Sequence, residues 1–458
     1  MFNDTIAAIA TAMSPSGIGI VRISGEDSVK IVDKIFEMKK KNLSFSDVPS
    51  HTVSYGFIKN GTEVVDEVMV LKMLAPNSYT KEDTVEIDCH GGTKVMQDIL
   101  ETVINAGARP AEPGEFTKRA FLNGRIDLSS AEAVIDLINS KTEFARKSSI
   151  SQVQGSVYRK ISSCREKILE QTAFIEAALD DPEHYSLDGY YEKINNIVCD
   201  LIEETEKLIN SYKNGSMLQE GIQTAIVGKP NAGKSSLLNA LAKKEKAIVT
   251  DIEGTTRDII EQRVQLGNLG LNIIDTAGIR ESEDIIEQIG VNKAKDIIEE
   301  ADLVLYVADS SRPIDKNDEE IMSLLQDKNV IILFNKTDLE GKISEEDITG
   351  KLSKPVVSIS AKEGDGIEKL EKTIEEMFAL GSISFNDEIY ITNERQKSSM
   401  VRALDSLKLV KEGIDNMMPE DFLSIDLLNA YEALGEITGE SVGEDLINEI
   451  FSKFCMGK

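Results

Sequence analysis

Gly228-Lys229-Pro230-Asn231-Ala232-Gly233-Lys234-Ser235 is the stretch that decides the fold, because it has the spacing G-x-x-x-x-G-K-S. In this motif the glycines let the chain turn tightly, so that successive backbone N–H groups point at one phosphate. The lysine reaches the β- and γ-phosphates, and the serine hydroxyl ligates Mg²⁺. The apolar residues between 222 and 227 predict a buried strand before the motif, and residues 236–242 predict a helix after it. This order predicts a nucleotide-binding domain in which a helix N-terminus faces the phosphates.

Four further motifs follow in the order found in GTPases, each at the end of a predicted strand. Thr255-Thr256 lies in a glycine-containing loop, where a threonine can complete the Mg²⁺ shell and sense the γ-phosphate. In Asp275-Thr276-Ala277-Gly278 the carboxylate can hold the Mg²⁺ water shell, and the glycine N–H can meet the γ-phosphate. In Asn335-Lys336-Thr337-Asp338 the aspartate can accept both guanine N1–H and N2–H₂, which adenine does not offer together. Ser360-Ala361-Lys362 can supply a backbone donor to guanine O6, so the series favours GTP over ATP.

The residues that drive hydrolysis depart from the common pattern of a glutamine after D-x-x-G and an arginine finger. Ile279 occupies the glutamine position and cannot orient water. Acidic residues shortly downstream could swing in when the loop orders; they are Glu281, Glu283, Asp284 and Glu287. Asn231 offers a side-chain carbonyl beside the phosphates, suitable for a monovalent cation. Ordinary turn chemistry explains an asparagine there equally well.

Composition narrows the classes of function. The 458 residues exceed the usual size of one core, so two or three domains are expected. Lysine and arginine number 51 against 80 acidic residues, a formal charge of −29, which argues against a broad basic surface for nucleic acid. The four cysteines form no C-x-x-C pair, so neither zinc nor a disulfide framework is expected. With no signal-peptide pattern and no apolar run of about eighteen residues, the chain is predicted to be soluble and cytoplasmic, with no membrane association.

Hydrophobic periodicity predicts a multidomain chain. Short apolar runs at 18–23, 68–74 and 84–87, with a helix near 94–105, predict an α+β domain over residues 1–118. Apolar residues at three- and four-residue spacing predict an all-α helical domain in two parts, 119–215 and 381–458. Between them lies the inserted α/β P-loop GTPase domain of the Ras-like type, residues 216–380. Ser441-Val442-Gly443-Glu444 predicts a capping box for a last helix whose apolar face is Leu446, Ile447, Ile450, Phe451 and Phe454.

Several stretches together resemble one family, the tRNA uridine-modification GTPases called MnmE or TrmE. The matching segments span nearly the whole chain. They are 228–235, 250–258, 275–280, the closing Phe454-Cys455-Met456-Gly457-Lys458, and in the N-terminal part 19–25, 83–87, 90–92, 113–116 and 119–125. The N-terminal segments separate this family from other GTPases. Met456 departs from the family pattern, which usually has another apolar residue there.

The resemblance implies a folate-binding and dimerising N-terminal domain, a helical domain and the inserted GTPase domain. With an FAD-containing partner, such a homodimer would install a carboxymethylaminomethyl or related group on C5 of the wobble uridine of certain tRNAs, with a tetrahydrofolate derivative as one-carbon donor. Potassium would occupy the arginine-finger position, held by Asn231, Thr250, Ile252 and Thr255, and GTPase domains of two subunits would meet across it. Glu287 would orient the water.

The remaining site residues follow from the motifs and from the same resemblance. The folate contacts would be Arg22, Glu86, Arg125 and Lys458, although from the sequence alone an ordinary surface ion pair is the better explanation of the two arginines. Cys455 is the family's tail cysteine, either a reactive thiol or a packed one. Mg²⁺ would be held by Ser235 and Thr256. The expected GTP contacts are Asn231, Ala232, Gly233, Lys234, Ser235, Ser236, Thr250, Asp251, Ile252, Glu253, Gly254, Thr255, Thr256, Asp275, Thr276, Ala277, Gly278, Asn335, Lys336, Thr337, Asp338, Ser360, Ala361 and Lys362.

Two other classes of protein fit parts of the pattern. One is a regulatory GTPase that acts as a binding switch, for example in ribosome assembly, and performs no chemistry on RNA. Such proteins often carry a basic RNA-binding module or tandem GTPase domains, and this chain has one GTPase domain and an acidic balance. The other is a mechanical dimerising GTPase whose long helices form an interaction platform. Folate binding by the N-terminal domain would argue against both.

Overall fold

The computed structural model of the protein describes residues 4–39, 44–185, 189–244, 262–267, 269–274, 297–378, 391–454 and 457. Contacts divide the chain into two compact units. The first comprises Met1–Ile135, Ser151–Ile202 and Ser398–Lys458, and the second comprises Asp136–Ile150 and Glu203–Lys397. Each unit has its own sheet.

The sheet of the first unit has seven strands. They are β1 (Ile6–Ile9), β2 (Ser16–Ser24), β3 (Phe36–Met38), β4 (Thr52–Asn60), β5 (Glu63–Met73), β6 (Thr84–Gly91) and β7 (Arg109–Pro110). Their order is β3-β4-β5-β6-β2-β1-β7, antiparallel except for the β1–β7 pair. Apart from residue 74, the apolar runs expected at 18–23, 68–74 and 84–87 lie within β2, β5 and β6, so these predictions are confirmed.

Two helices cover one face of this sheet, α1 (Ser28–Ile35) and α2 (Thr93–Asn105). Alternate strand residues such as Ile23 and Ile87 point into the core, where Ile31 and Ile99 of the helices meet them, and all four are buried. Buried residues recur every second position along the strands and every third or fourth position along the helices. This is the pattern expected when helices cover one face of a sheet. The sequence predicts a helix near 94–105, and α2 begins one residue before that range.

The helical elements that follow are long. Their bounds are α3 (Glu115–Leu122), α4 (Leu128–Asn139), α5 (Glu143–Val153), α6 (Ser156–Asp180) and α7 (Tyr190–Glu220). Three more helices follow the second sheet, whose own helices, α8 to α11, are described below. They are α12 (Glu394–Asp415), α13 (Glu420–Thr438) and α14 (Glu444–Ser452). Within the first unit α6 packs against α13, where the Arg165 guanidinium lies 4.1 Å from the centre of the Tyr431 ring.

The last helix, α14, corrects one prediction. It begins at Glu444 with Gly443 as the N-cap and has no side-chain cap hydrogen bond, so the expected capping box is wrong. The glutamate therefore occupies the first helical position rather than the third, and its carboxylate favours the helix N-terminus only through the dipole. Of the expected apolar face, Leu446 is exposed, and the other members pack into a core cluster with Leu128.

The sheet of the second unit is built for a nucleotide site. Its strands are β8 (Ile222–Val227), β9 (Gln262–Leu266), β10 (Leu269–Ile273), β11 (Leu303–Asp309), β12 (Val330–Asn335) and β13 (Val356–Ser358). The order is β13-β12-β11-β8-β10-β9, all parallel except β9. All residues of β11 and β12 are buried, as expected for parallel strands covered on both faces. The chain crosses to the other side of β8 between β10 and β11, and in such sheets ligands bind beside that switch point.

The helices of this unit are α8 (Lys234–Lys244), α9 (Lys316–Leu324), α10 (Glu345–Thr349) and α11 (Ile367–Met377). They alternate with parallel strands, which is the α/β P-loop arrangement expected from the sequence. The phosphate-loop motif lies between β8 and α8, and the guanine motif begins at the last residue of β12. The fold therefore brings both motifs to the carboxyl edge of one sheet.

A buried arginine stabilises the first unit. Arg119 on α3 is 0% exposed and pairs with Asp4 at 2.8 Å, Glu115 at 3.0 Å and Glu82 at 3.2 Å. Arg109 completes the network with bonds of 2.6 Å to both Asp4 and Glu115. Because Glu115 is also buried, these cations hold the pKa of its carboxyl below the usual value despite burial, which alone would raise it.

Arg119→Met should therefore destabilise the first unit by about 3–5 kcal/mol, because it removes the buried cation that Asp4, Glu82 and Glu115 share and leaves the buried Glu115 with Arg109 alone. Thermal unfolding followed by circular dichroism at neutral pH measures this. Lys30→Met, which breaks the exposed Lys30–Asp27 pair, serves as the control and should melt like the wild type, because exposed ion pairs contribute little to stability. Equal melting temperatures of the Arg119 variant and the control would contradict the stabilising role of Arg119.

Candidate functional site

The phosphate loop adopts a conformation that its two glycines make possible. Gly228 has φ 152°, and a Cβ there would lie 2.5 Å from the Val307 carbonyl oxygen. Gly233 has φ 104°, and a Cβ there would lie 2.2 Å from Asn335 Nδ2. Asn231 is left-handed at φ 60°, a region that asparagine tolerates better than most residues. The loop thus approaches its neighbours more closely than any side chain would allow at either glycine.

Lys234, the first residue of α8, folds back over this loop. Its Nζ donates to the carbonyl oxygens of Gly228 at 2.7 Å and Lys229 at 2.8 Å. Burial lowers the pKa of this ammonium group. Ser235 and Ser236 follow in the first turn of α8, where helix N–H groups have no partner within the helix and favour an anion. The arrangement suits a polyphosphate, whose charge would stabilise the ammonium group.

Asn335 joins the phosphate loop to the loop at residues 360–362, which is expected to face the guanine base. It ends β12, is 2% exposed, and donates from Nδ2 to the Ala232 carbonyl at 2.8 Å. Its Oδ1 accepts from the Ala361 N–H at 3.0 Å. One buried amide therefore fixes the distance between the loop that faces phosphates and the loop expected to face guanine O6.

The rest of the guanine motif is held by neighbouring loops. Lys336 is left-handed at φ 67°, and its Nζ lies 2.6 Å from Asp309 Oδ2 at the end of β11. Burial by itself would raise the pKa of the Asp309 carboxyl, but hydrogen bonds from Lys336 and Ser311 outweigh it and hold that pKa below its usual range. The Lys336 side chain is thus held by a carboxylate that stays ionised.

Asp338 presents the carboxylate expected to accept from guanine. Its Oδ1 accepts from Ser360 Oγ at 2.8 Å, which orients the group, and the side chain is exposed. Thr337 ties the same turn to β13 by donating from both N and Oγ1 to the Ile359 carbonyl, at 3.3 and 3.1 Å. Lys362 is exposed and lies 3.8 Å from Glu363. An ionised carboxylate can accept further donors, so the turn has the chemistry for the guanine edge.

Other predicted site residues lie outside the described residues. They are Thr250, Asp251, Ile252, Glu253, Gly254, Thr255, Thr256, Asp275, Thr276, Ala277, Gly278, Glu287, Cys455 and Lys458. Their predicted contacts with GTP, Mg²⁺, potassium and folate therefore stay predictions.

A second cluster forms in the first unit around Arg22. Arg22 on β2 is opposite Glu86 on β6 in the sheet register, and Arg22 Nε lies 2.7 Å from Glu86 Oε1. Arg22 Nη1 donates to the Gly457 carbonyl at 3.1 Å, which brings the C-terminal tail to the same place. The Tyr79 ring lies near two guanidinium groups, with its centre 5.7 Å from that of Arg22 and 4.6 Å from that of Arg125. The three predicted folate residues that the structure describes, Arg22, Glu86 and Arg125, thus lie in one cluster with Tyr79 and Gly457.

Sequence reasoning did not identify three members of these sites. Tyr79 has no local motif of its own. Gly457 lies in the closing segment that matches the family, but that segment does not indicate that its carbonyl would meet Arg22. Asp309 is similar, because an aspartate after an apolar strand is common and its partner Lys336 is distant in sequence. The apolar run 303–308 ending in Asp309 was the one available signal, since strand ends at this edge carry the site residues.

Among the described residues, no group of three or more histidine, cysteine, aspartate or glutamate side chains could hold a metal ion. Within the same part of the chain, none of the helices combines the length and apolarity needed to cross a membrane.

Comparison with known proteins agrees with the geometry. Residues 5–125 match the model of the GTP-binding protein TrmE N-terminus, and residues 128–455 match that of the MnmE helical domain. The tRNA modification GTPase MnmE of Lachnoclostridium phytofermentans is 56% identical over 458 residues, covering 100% of both chains. The protein of the same name from Acetivibrio thermocellus is 50% identical over 466 residues, covering 100% of this chain and 99% of the other. The one from Alkaliphilus oremlandii is 45% identical with the same coverage.

The position of Asn335 gives a test. Asn335→Ala should leave the Ala232 carbonyl and the Ala361 N–H without these partners, a cost of about 1–3 kcal/mol. We expect GDP to bind about 5- to 150-fold more weakly, as measured by titration with a fluorescent GDP analogue. Asn329→Ala, just before the other end of β12, removes one exposed hydrogen bond and should bind GDP like the wild type. Equal affinity of both variants would contradict the role of Asn335.

Proposed function

The chain belongs to the MnmE family of tRNA modification GTPases, and on this premise we propose the following activity. The protein is a potassium-dependent GTP hydrolase that works with an FAD-containing partner. Together they add a carboxymethylaminomethyl or related group to C5 of the wobble uridine of certain tRNAs, with a tetrahydrofolate derivative as the one-carbon donor.

The observation that carries this proposal is the Arg22 cluster. In the first unit two guanidinium groups lie near one tyrosine ring, and a carboxylate is paired with one of them. A GTPase that acts only as a switch does not require such a cluster. A folate carries glutamate carboxylates that arginine can pair with, and a pterin whose amide and amine edge suits a carboxylate such as Glu86. The Tyr79 ring offers a flat apolar surface for a planar heterocycle.

GTP would bind across the carboxyl edge of the second sheet. Its base would meet Asp338 and the Ala361 loop, and its phosphates would meet the phosphate loop and Lys234. Ser235, with Thr256, would hold Mg²⁺, which when bound supplies charge that neutralises the β- and γ-phosphate oxygens. The exposed serine at the start of α8 fits this hard cation, because a hydroxyl oxygen is a suitable ligand.

A potassium ion would take the place of the arginine finger. Asn231 is exposed on the loop and carries a hard carbonyl oxygen, which fits a monovalent cation. Thr250, Ile252 and Thr255 would complete the ligands, and the bound cation would supply positive charge beside the phosphates. Glu287 would orient the attacking water, because Ile279 has no group that can do so.

The first unit also offers a surface for the proposed homodimer. On the sheet face that α1 and α2 leave uncovered, Tyr55 on β4 is paired with Met69 on β5, and both are exposed. Val53 on the same face of β4 is 60% exposed. Exposed large apolar residues grouped on one face indicate a docking surface. Residues 1–118 are therefore proposed to dimerise as well as to bind folate.

The roles of the tail and of the RNA follow from the same premise. Gly457 lies beside Arg22, so the neighbouring Cys455 and Lys458 are proposed to act near the folate, with Lys458 pairing with a carboxylate. The net charge of −29 disfavours a broad RNA-binding surface on this chain, so the FAD-containing partner is proposed to share in holding the tRNA. We propose that the complex works in the cytoplasm.

Folate binding tests the proposal against the switch alternative. We expect the purified protein to bind 5-formyltetrahydrofolate in equilibrium dialysis, and Arg125→Met to weaken binding about tenfold, because a hydrogen bond to a charged group contributes about 1.5–3 kcal/mol. Arg159→Met, an exposed arginine that hydrogen-bonds the Gln154 carbonyl, is the control and should bind folate normally. If the wild type does not bind folate, the regulatory switch is favoured. If the Arg125 variant binds folate like the wild type, only the proposed location of the folate site is contradicted.

A further inference from the structure

The second residue of the phosphate loop, Lys229, has its side chain directed away from the loop. Its Nζ lies 2.6 Å from Asp318 Oδ2 and 2.9 Å from Asp315 Oδ2, at the start of α9. The side chain is 18% exposed. A lysine within a phosphate-binding motif would be expected to face the phosphates, yet both of these partners belong to another helix.

The two carboxylates that hold Lys229 are fixed in turn. Asp315 is the N-cap of α9 and accepts from the N–H groups of Asn317 and Asp318, at 3.0 and 3.3 Å. Asp318 accepts from the Asp315 N–H at 3.1 Å and from the buried Tyr306 hydroxyl at 3.0 Å. Since Tyr306 belongs to β11, the pair is attached to the central sheet as well as to the helix.

The charge of Lys229 is favoured by its two partners. Burial alone would lower the pKa of Lys229, but the hydrogen bonds to Asp318 and Asp315 outweigh it and raise that pKa above the ordinary value. The lysine therefore stays protonated, and its anchor does not depend on pH near neutrality.

The backbone of Lys229 connects this anchor to the site. Its carbonyl oxygen accepts from Lys234 Nζ at 2.8 Å and from the Ala232 N–H at 3.3 Å. A shift of the Lys229 backbone would therefore move an acceptor of the phosphate-binding lysine and change the turn that contains Asn231. The Lys229 side chain therefore binds the carboxylates at the start of α9, while its carbonyl oxygen binds the phosphate-binding Lys234.

The loop that begins at Asp309 and leads into α9 reaches both halves of the nucleotide site. At one end Asp309 holds Lys336 of the guanine motif, at 2.6 Å. At the other end Asp315 and Asp318 hold Lys229 of the phosphate loop. One stretch of chain, 309–318, thus braces the base-recognition turn and the phosphate loop against the same strand, β11.

We propose that Lys229 is a positioning residue for nucleotide binding, which acts by anchoring the phosphate loop to Asp315 and Asp318 rather than by touching the nucleotide. This inference rests on the proposed binding of GTP at the loop and assigns a further residue to it. The segment 309–318 is the brace through which the anchor acts.

A double-mutant cycle tests the anchor with a fluorescent GDP analogue as the probe. Lys229→Met should raise the Kd about tenfold, Asp318→Asn should raise it in the same direction, and the double variant should be no weaker than Lys229→Met alone. Lys229→Arg keeps the ion pair and should restore most of the affinity. The matched control is Lys351→Met, which removes the exposed 2.5 Å pair with Glu319 on the same helix and should bind like the wild type.

Three results would overturn the proposal, and each is distinct. If Lys229→Met lowers the melting temperature but binds GDP like the wild type, the pair is merely structural. If the effects of Lys229→Met and Asp318→Asn add, the two residues act independently. If the wild type itself does not bind GDP, the proposed function fails together with its positioning residue. Should Lys229→Met not fold, Asp318→Asn against Lys351→Met decides the same question.

Discussion

The nucleotide site depends on the backbone conformation of the phosphate loop, which only glycine allows at two positions. A side chain at Gly228 would meet the Val307 carbonyl, and one at Gly233 would meet the Asn335 amide. This close approach lets Asn335 hydrogen-bond the loop and lets Lys234 lie over its carbonyls. The same turn places Asn231 in a left-handed conformation with its side chain exposed. Phosphate contact, base-loop spacing and the proposed cation ligand are therefore consequences of one constrained turn.

Much of this could be predicted from the sequence, because the motifs lie at strand ends. Apolar strands of the expected length precede the phosphate loop, the guanine motif and Ser360, and parallel strands bring their carboxyl ends to one edge. What could not be predicted depends on distant contacts. Tyr79 meets Arg22 and Arg125 only because of loop and strand positions, and Lys229 meets Asp318 only once α9 is packed. The predicted capping box at Ser441 is wrong for a local reason. The helix α14 begins at Glu444, and the first residue of a helix is hard to predict to within one or two positions.

The two clusters share one physical strategy, in which buried or half-buried charges are paired so that ligand-facing groups are already oriented. Asp309 holds Lys336, and Glu86 holds Arg22. Groups fixed in this way lose little conformational freedom when a ligand binds, and this increases affinity without further contacts. Such pairs show how a chain of net charge −29 can hold local cationic groups at its proposed ligand sites. Lys336 and Arg22 each have a carboxylate partner, whereas Lys234 is held by backbone carbonyls.

The central claim is that this GTPase completes its phosphate site with a monovalent cation at Asn231 instead of an arginine. The most direct test is the rate of GTP hydrolysis by the purified protein in potassium chloride and in sodium chloride at equal ionic strength, since matched salt cancels general screening. We expect clearly faster hydrolysis in potassium, and loss of that preference in Asn231→Ala. Equal rates of the wild type in the two salts would contradict the claim and leave the group that supplies positive charge at the phosphates unidentified.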